Sequence, residues 1–178
     1  MPVTLQDTPL LSAVYEYCAT RCGARSMPRR ADIDPVDLPR FVLPNLMLLD
    51  VFDGGARYRW RLTGTEVVNR FGRDATGHFD EEVLSGKYLA FFGSLIRHVC
   101  RSQVPVYSHA VFSWDHGRRM TSIRLLVPLG DEASGVTQIL GAHDFGAKSG
   151  PVHSPELLRD AQEIDELARE ELPFGAPG

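Results

Sequence analysis

The sequence predicts an α+β fold: one antiparallel sheet of five strands with helices on one face, plus a flanking helix at each end. Three observations predict it. Arg57-Tyr58-Arg59-Trp60-Arg61-Leu62 alternates strictly between arginine and apolar residues, the period of a half-buried strand. Tyr88, Phe91, Phe92, Leu95, Ile96 and Val99 recur at steps of three and four, the period of an amphipathic helix. Strand-like runs stand on both sides of that helix, joined by short turns rich in Gly and Asp, so neighbours in sequence pair as hairpins.

Each element has its own signal. Thr8-Pro9 is a cap followed by a proline at the first helical position. Leu10, Leu11, Val14, Tyr15, Cys18 and Cys22 then follow near helical spacing, and Gly23 closes the helix. Asp34-Pro35 repeats the start signal for a short helix ending near Pro39. Leu46 to Phe52 reads as a buried strand, Asp53-Gly54-Gly55 as a turn, and Arg57 to Leu62 as the second strand of the hairpin. A short helix spans Thr65 to Phe71, and the long one spans Lys87 to Cys100. Val106 to Trp114, Thr121 to Pro128 and Val136 to His143 complete the strands, with Asp115-His116-Gly117 and Gly130-Asp131 as turns. Ser154-Pro155 opens a last predicted helix to Leu172. Leu157, Ala161, Ile164 and Ala168 form on it a seam suited to the sheet or to a second copy of the chain. The expected organisation is an N-terminal helical flank (1–43), a central domain (44–145) and a C-terminal helix and tail (146–178), which leaves too few residues for an output domain.

Composition narrows the function. At 178 residues and 43% hydrophobic content the chain supports one domain with a sizeable core. The net charge of −4 argues against a partner held by phosphate contacts, so no nucleic acid is expected. No apolar run approaches the roughly 20 residues of a membrane helix, and Met1 to Asp7 lacks a signal-peptide pattern, so the expected location is cytoplasmic, with no membrane partner. Cys18, Cys22 and Cys100 make no disulfide framework. Cys18 and Cys22 share a helix face, half of a metal site whose second ligand pair is missing, and are expected as buried, inert thiols.

The order strand, strand, helices, strand, strand, strand resembles that of PAS domains. Asp32-Ile33-Asp34-Pro35, Tyr58-Arg59-Trp60-Arg61-Leu62-Thr63-Gly64-Thr65, Phe71-Gly72-Arg73-Asp74-Ala75-Thr76-Gly77 and Leu125-Leu126-Val127-Pro128-Leu129 together resemble short bacterial PAS-like proteins, over about Ala13 to Asp144. The resemblance implies a sheet cupping a small pocket, and a sensory or regulatory role in signal transduction. Members sense small ligands, haem, flavin or redox state, or mediate protein contacts, so the cofactor stays unknown.

Known chemistries find few residues here. The Thr65 to Phe71 region lacks the cysteine of flavin photosensors. His98, the one helical histidine near the sheet and so the one haem-ligand candidate, sits among solvent-facing Arg97 and Arg101. There is no Gly-x-Ser-x-Gly elbow and no Gly-x-x-x-x-Gly-Lys phosphate loop. Arg57, Arg59 and Arg61 form a stripe suited to solvent, to the acidic C-terminal segment or to an anionic partner. Trp60, Phe71, Phe92 and Ile96 are the pocket candidates, with His109 added if its side of the strand faces inward. The reading is a stand-alone module that binds a small molecule or a signalling protein, works as a homodimer, and is not an enzyme. The alternative is a small enzyme on the same scaffold, built on His109, His143 and Asp144.

Overall fold

The computed structural model describes residues 4–114, 117–146 and 161–175. The sheet has six strands: β1 (Leu46–Phe52), β2 (Arg57–Thr63), β3 (Val106–Ser113), β4 (Arg119–Asp131), β5 (Gly135–Asp144) and β6 (Glu163–Glu171). Their spatial order is β2-β1-β5-β4-β3-β6, and every neighbouring pair is antiparallel. The helices are α1 (Pro9–Cys22), α2 (Thr65–Phe71), α3 (Asp80–Val83) and α4 (Gly86–Ser102). The α+β class, the five expected strands and the helices between the two hairpins all stand where the sequence puts them.

Two hydrophobic clusters lie on opposite faces, because alternate residues of a strand project to opposite sides. The inner face carries Met47, Leu49, Tyr58, Trp60, Val106, Ala110, Phe112, Met120, Leu126 and Ile139, packed against Val67 and Phe71 of α2 and Tyr88, Phe92, Leu95, Ile96 and Val99 of α4. The outer face carries Leu46, Leu48, Tyr107, Ile123, Leu125, Val127, Leu129, Leu140 and Ala142. Leu11, Val14 and Cys18 of α1 cover it. Helices therefore flank both faces. The Asp34-Pro35 signal yields a single 3-10 turn, Pro35–Asp37, in which the Asp34 carboxylate accepts the Val36 N–H.

The C-terminal segment corrects the sequence reading. Where a helix was expected from Ser154 to Leu172, Glu163–Glu171 is a strand along the free edge of β3. Residues 154–160 lie outside the described residues. Ile164 stands opposite Phe112 and joins the inner cluster, whereas Ala168 stands opposite His109 and joins the outer one. A bulge at Leu167 lets residues four apart face opposite sides. Helix-favouring Glu, Ala and Leu are overridden by the ladder bonds and burial that the β3 edge offers.

Candidate functional site

Four polar side chains cross the middle of the inner face. The register sets Ser108 of β3 opposite Arg124 of β4, and Arg124 opposite His143 of β5. Ser122, two residues before Arg124, projects to the same side. None of the four is more than 1% exposed. Around them stands an aromatic shell. Trp60 stacks on Phe92 at 5.9 Å, and Phe92 on Tyr88 at 6.2 Å. Phe71 turns its edge to Trp60, and Phe112 lies 5.1 Å from Tyr88.

Arg124 is the unusual member. Its Nε, Nη1 and Nη2 have no hydrogen-bond partner among the described residues. The guanidinium lies 5.2 Å from the ring centre of Phe91 and 5.3 Å from that of Phe112. Such contacts stabilise a desolvated cation by about 2 kcal/mol, against a burial cost of several kcal/mol for an unpaired ion. Burial accordingly pushes the Arg124 pKa down, against a smaller opposing influence of the neutral Tyr88 phenol and of Glu166. Glu166 is committed elsewhere, accepting hydrogen bonds from Arg169 at 2.6 and 3.1 Å.

His143 is sealed among rings: Phe145 stacks on it at 5.3 Å, and Phe71 and Phe92 lie beside it. Its Nδ1 is 3.4 Å from the Ser122 hydroxyl, and its Nε2 has no partner among the described residues. Desolvation first, then the nearby Arg124 charge, holds its pKa well below the usual imidazole value, so the ring is neutral. Ser108 Oγ, Tyr58 Oη and Trp60 Nε1 also lack partners among the described residues. Buried polar atoms are normally paired, so this concentration on one face makes the interior beneath α2 and α4 the candidate site.

A family model for the PAS domain matches residues 6–143. The chain belongs to the PAS domain family. The match runs from before α1 to His143, one residue short of the end of β5, so β6 of this PAS chain lies beyond it. No curated protein sequence matches the chain. Similar solved structures include one described as VqmA bound to DPO, at 15% identity and a TM-score of 0.46, covering 60% of this chain and 53% of that one. A Rhodobacter sphaeroides LOV protein matches at 15% identity and 0.44, covering 60% and 61%. The PAS domain of Bordetella pertussis BvgS matches at 15% and 0.38, covering 65% and 88%. The chain thus spans about half the length of the first of these. These likenesses are remote, and the chemistry of the site lies in the chain's own residues.

Trp60, Phe71, Phe92 and Ile96, selected from sequence, all fall in the inner cluster, each at most 3% exposed. His109 does not join them. Val106, Ala110 and Phe112 of its strand face inward, so alternation turns His109 outward with Tyr107, between Ile123 and Ala168. Burial, then Arg124, lowers its pKa. Asp144, opposite Ile123, also faces outward, while His143 faces inward. The three residues of the enzyme reading therefore do not converge.

Arg124, Ser108, Ser122 and Tyr58 join the site without a strong mark in the sequence. Their signal was a lone arginine in the otherwise apolar run Ile123-Arg124-Leu125-Leu126-Val127, on a strand long enough to be central. The arginine stripe pairs within its own neighbourhood: Arg57 with Glu81, and Arg59 and Arg61 with Asp50. His98 bonds Glu171 of β6 at 2.7 Å. Cys18, Cys22 and Cys100 are free thiols, the first two buried. No helix among the described residues is long and apolar enough to cross a membrane.

A groove of about 650 Å3 opens beside the site, lined by Lys87, Phe91, Arg119, Ile164 and Glu166 among others. Phe91 is shared: it walls the groove and touches the Arg124 guanidinium from within.

Proposed function

We propose that this chain is a PAS-type sensory module that binds a small molecule between the inner face of its sheet and the helices α2 and α4, without catalysing a reaction. The observation that carries this reading is the set of buried, unpartnered polar atoms on Ser108, Arg124, His143, Tyr58 and Trp60. A folded chain recovers the cost of such groups when something that enters pairs with them.

The signal leaves through β6. Three polar contacts tie α4, which roofs the interior, to that segment: Lys87 Nζ donates to the Gln162 carbonyl, Arg169 to Ser94 Oγ, and His98 meets Glu171. A shift of α4 on ligand binding is passed to an edge strand whose outer rim is free to pair with a signalling protein or with a second copy as a homodimer. Free thiols suit a reducing, cytoplasmic setting. Native and denatured masses of the purified chain test this reading. An excess mass lost on denaturation supports it; a bare chain mass in both turns the reading toward a pure protein-contact module.

A further inference from the structure

Resting on that reading, we propose that Arg124 anchors the carboxylate of a small monoanionic ligand with a flat apolar body, an arylcarboxylate. A guanidinium keeps its charge at neutral pH even when burial lowers its pKa. It therefore needs an anion, and the described residues supply none. Glu166 is held by Arg169. Asp50 is held by Arg59 and Gln138. Asp80 accepts the Tyr58 N–H.

Charge selects the class. His143 is neutral and Arg124 is the one buried cation among the described residues, so a single negative charge balances the site. A phosphate dianion would leave a surplus charge in a water-poor interior. The planar fork of arginine fits the two oxygens of a carboxylate. With His143 Nδ1 accepting from Ser122, Nε2 carries the hydrogen and donates to the same anion, and the Ser108 hydroxyl adds a donor. Phe112, Tyr88 and Phe92 pack on one another at 5.1 and 6.2 Å, so a ring enters only where they part, and they then offer it flat faces. Phe91, between the groove and the guanidinium, is the entry point.

The test is calorimetric titration of the full, dialysed chain and its Arg124→Met variant with benzoate, phenylacetate, benzamide and inorganic phosphate. At least one of the two acids is expected to bind, benzamide and phosphate not, and R124M to weaken the acid about 100-fold. Binding by neither acid, equal binding by benzamide, or an unchanged affinity in R124M overturns the proposal. Thermal melting without ligand gives a second reading. Replacing an unpaired buried cation by an apolar side chain of similar length should leave Tm equal or higher. A lower Tm, or failure to fold, means that Arg124 is paired in the ligand-free chain, and the proposal falls. A neutral compound that copurifies and is kept by R124M overturns the carboxylate while leaving the small-molecule reading intact.

Discussion

Arg124 and His143 are register partners on β4 and β5, both fully buried, and the charge of the first helps to keep the second neutral. Unfolded, His143 titrates near 6.5; folded, desolvation and then Arg124 hold its pKa well below that. The contribution to stability is complete above pH 6.5. As pH falls below 6.5 the unfolded chain takes up a proton that the folded chain refuses, so stability drops by up to about 1.4 kcal/mol per pH unit. His109, also lowered by burial, adds a slope of the same sign. Urea unfolding at pH 7.5 and 5.5 should show a loss in the wild type that is about half as large in His143→Gln.

Gly64 sets the approach of α2 to the sheet. It is the N-cap of α2, its N–H bonds the Leu46 carbonyl at 2.7 Å, and a Cβ there would collide with the Pro44 carbonyl oxygen. The obstacle is backbone, which cannot rotate aside. Gly64→Ala should cost about 2–3 kcal/mol and lower Tm by roughly 5–10 °C. Differential scanning calorimetry decides it; an unchanged Tm would mean that the α2 junction is loose.

The legible part of the fold is the part set by local pattern. Trp60, Phe71, Phe92 and Ile96 could be placed because local period fixes which face of a strand or helix is apolar. His109 went to the wrong side because its strand is buried on both faces, so hydrophobicity gives no phase until the partners are known. Arg124 escaped because its meaning lies in the absence of an acid nearby, a property of the packed interior. The last strand escaped because the free β3 edge that recruits Glu163–Glu171 exists only after the sheet has formed.

The thiols should be inert while the chain is folded. Burial pushes Cys18 up to about 12 and Cys100 up to about 11, and also raises Cys22. At pH 8 a thiol of pKa about 11 is only about 0.1% thiolate, the reactive form. Ellman's reagent should find three thiols in guanidinium chloride and react more slowly with all three in the native chain, at least about 100-fold more slowly with Cys18 and Cys100. Fast reaction of one thiol would reveal local opening, at α1 for Cys18 and Cys22, or at α4 for Cys100.

Leu167 separates the strand from any helical account of the C-terminal segment. It is 49% exposed and sits at the bulge that turns Ile164 inward and Ala168 outward. Leu167→Ser should change stability by no more than about 0.5 kcal/mol, because the side chain packs on little. Deleting Leu167 is different: it removes the extra residue and puts either Ile164 or Ala168 on the wrong face. The loss should be about 1.5–3 kcal/mol, the value of one aliphatic side chain taken from the core. Denaturant midpoints of the two variants, measured side by side, check the contrast. A deletion as mild as the substitution would show that β6 contributes no register-specific packing, and would remove the route from α4 to the sheet edge.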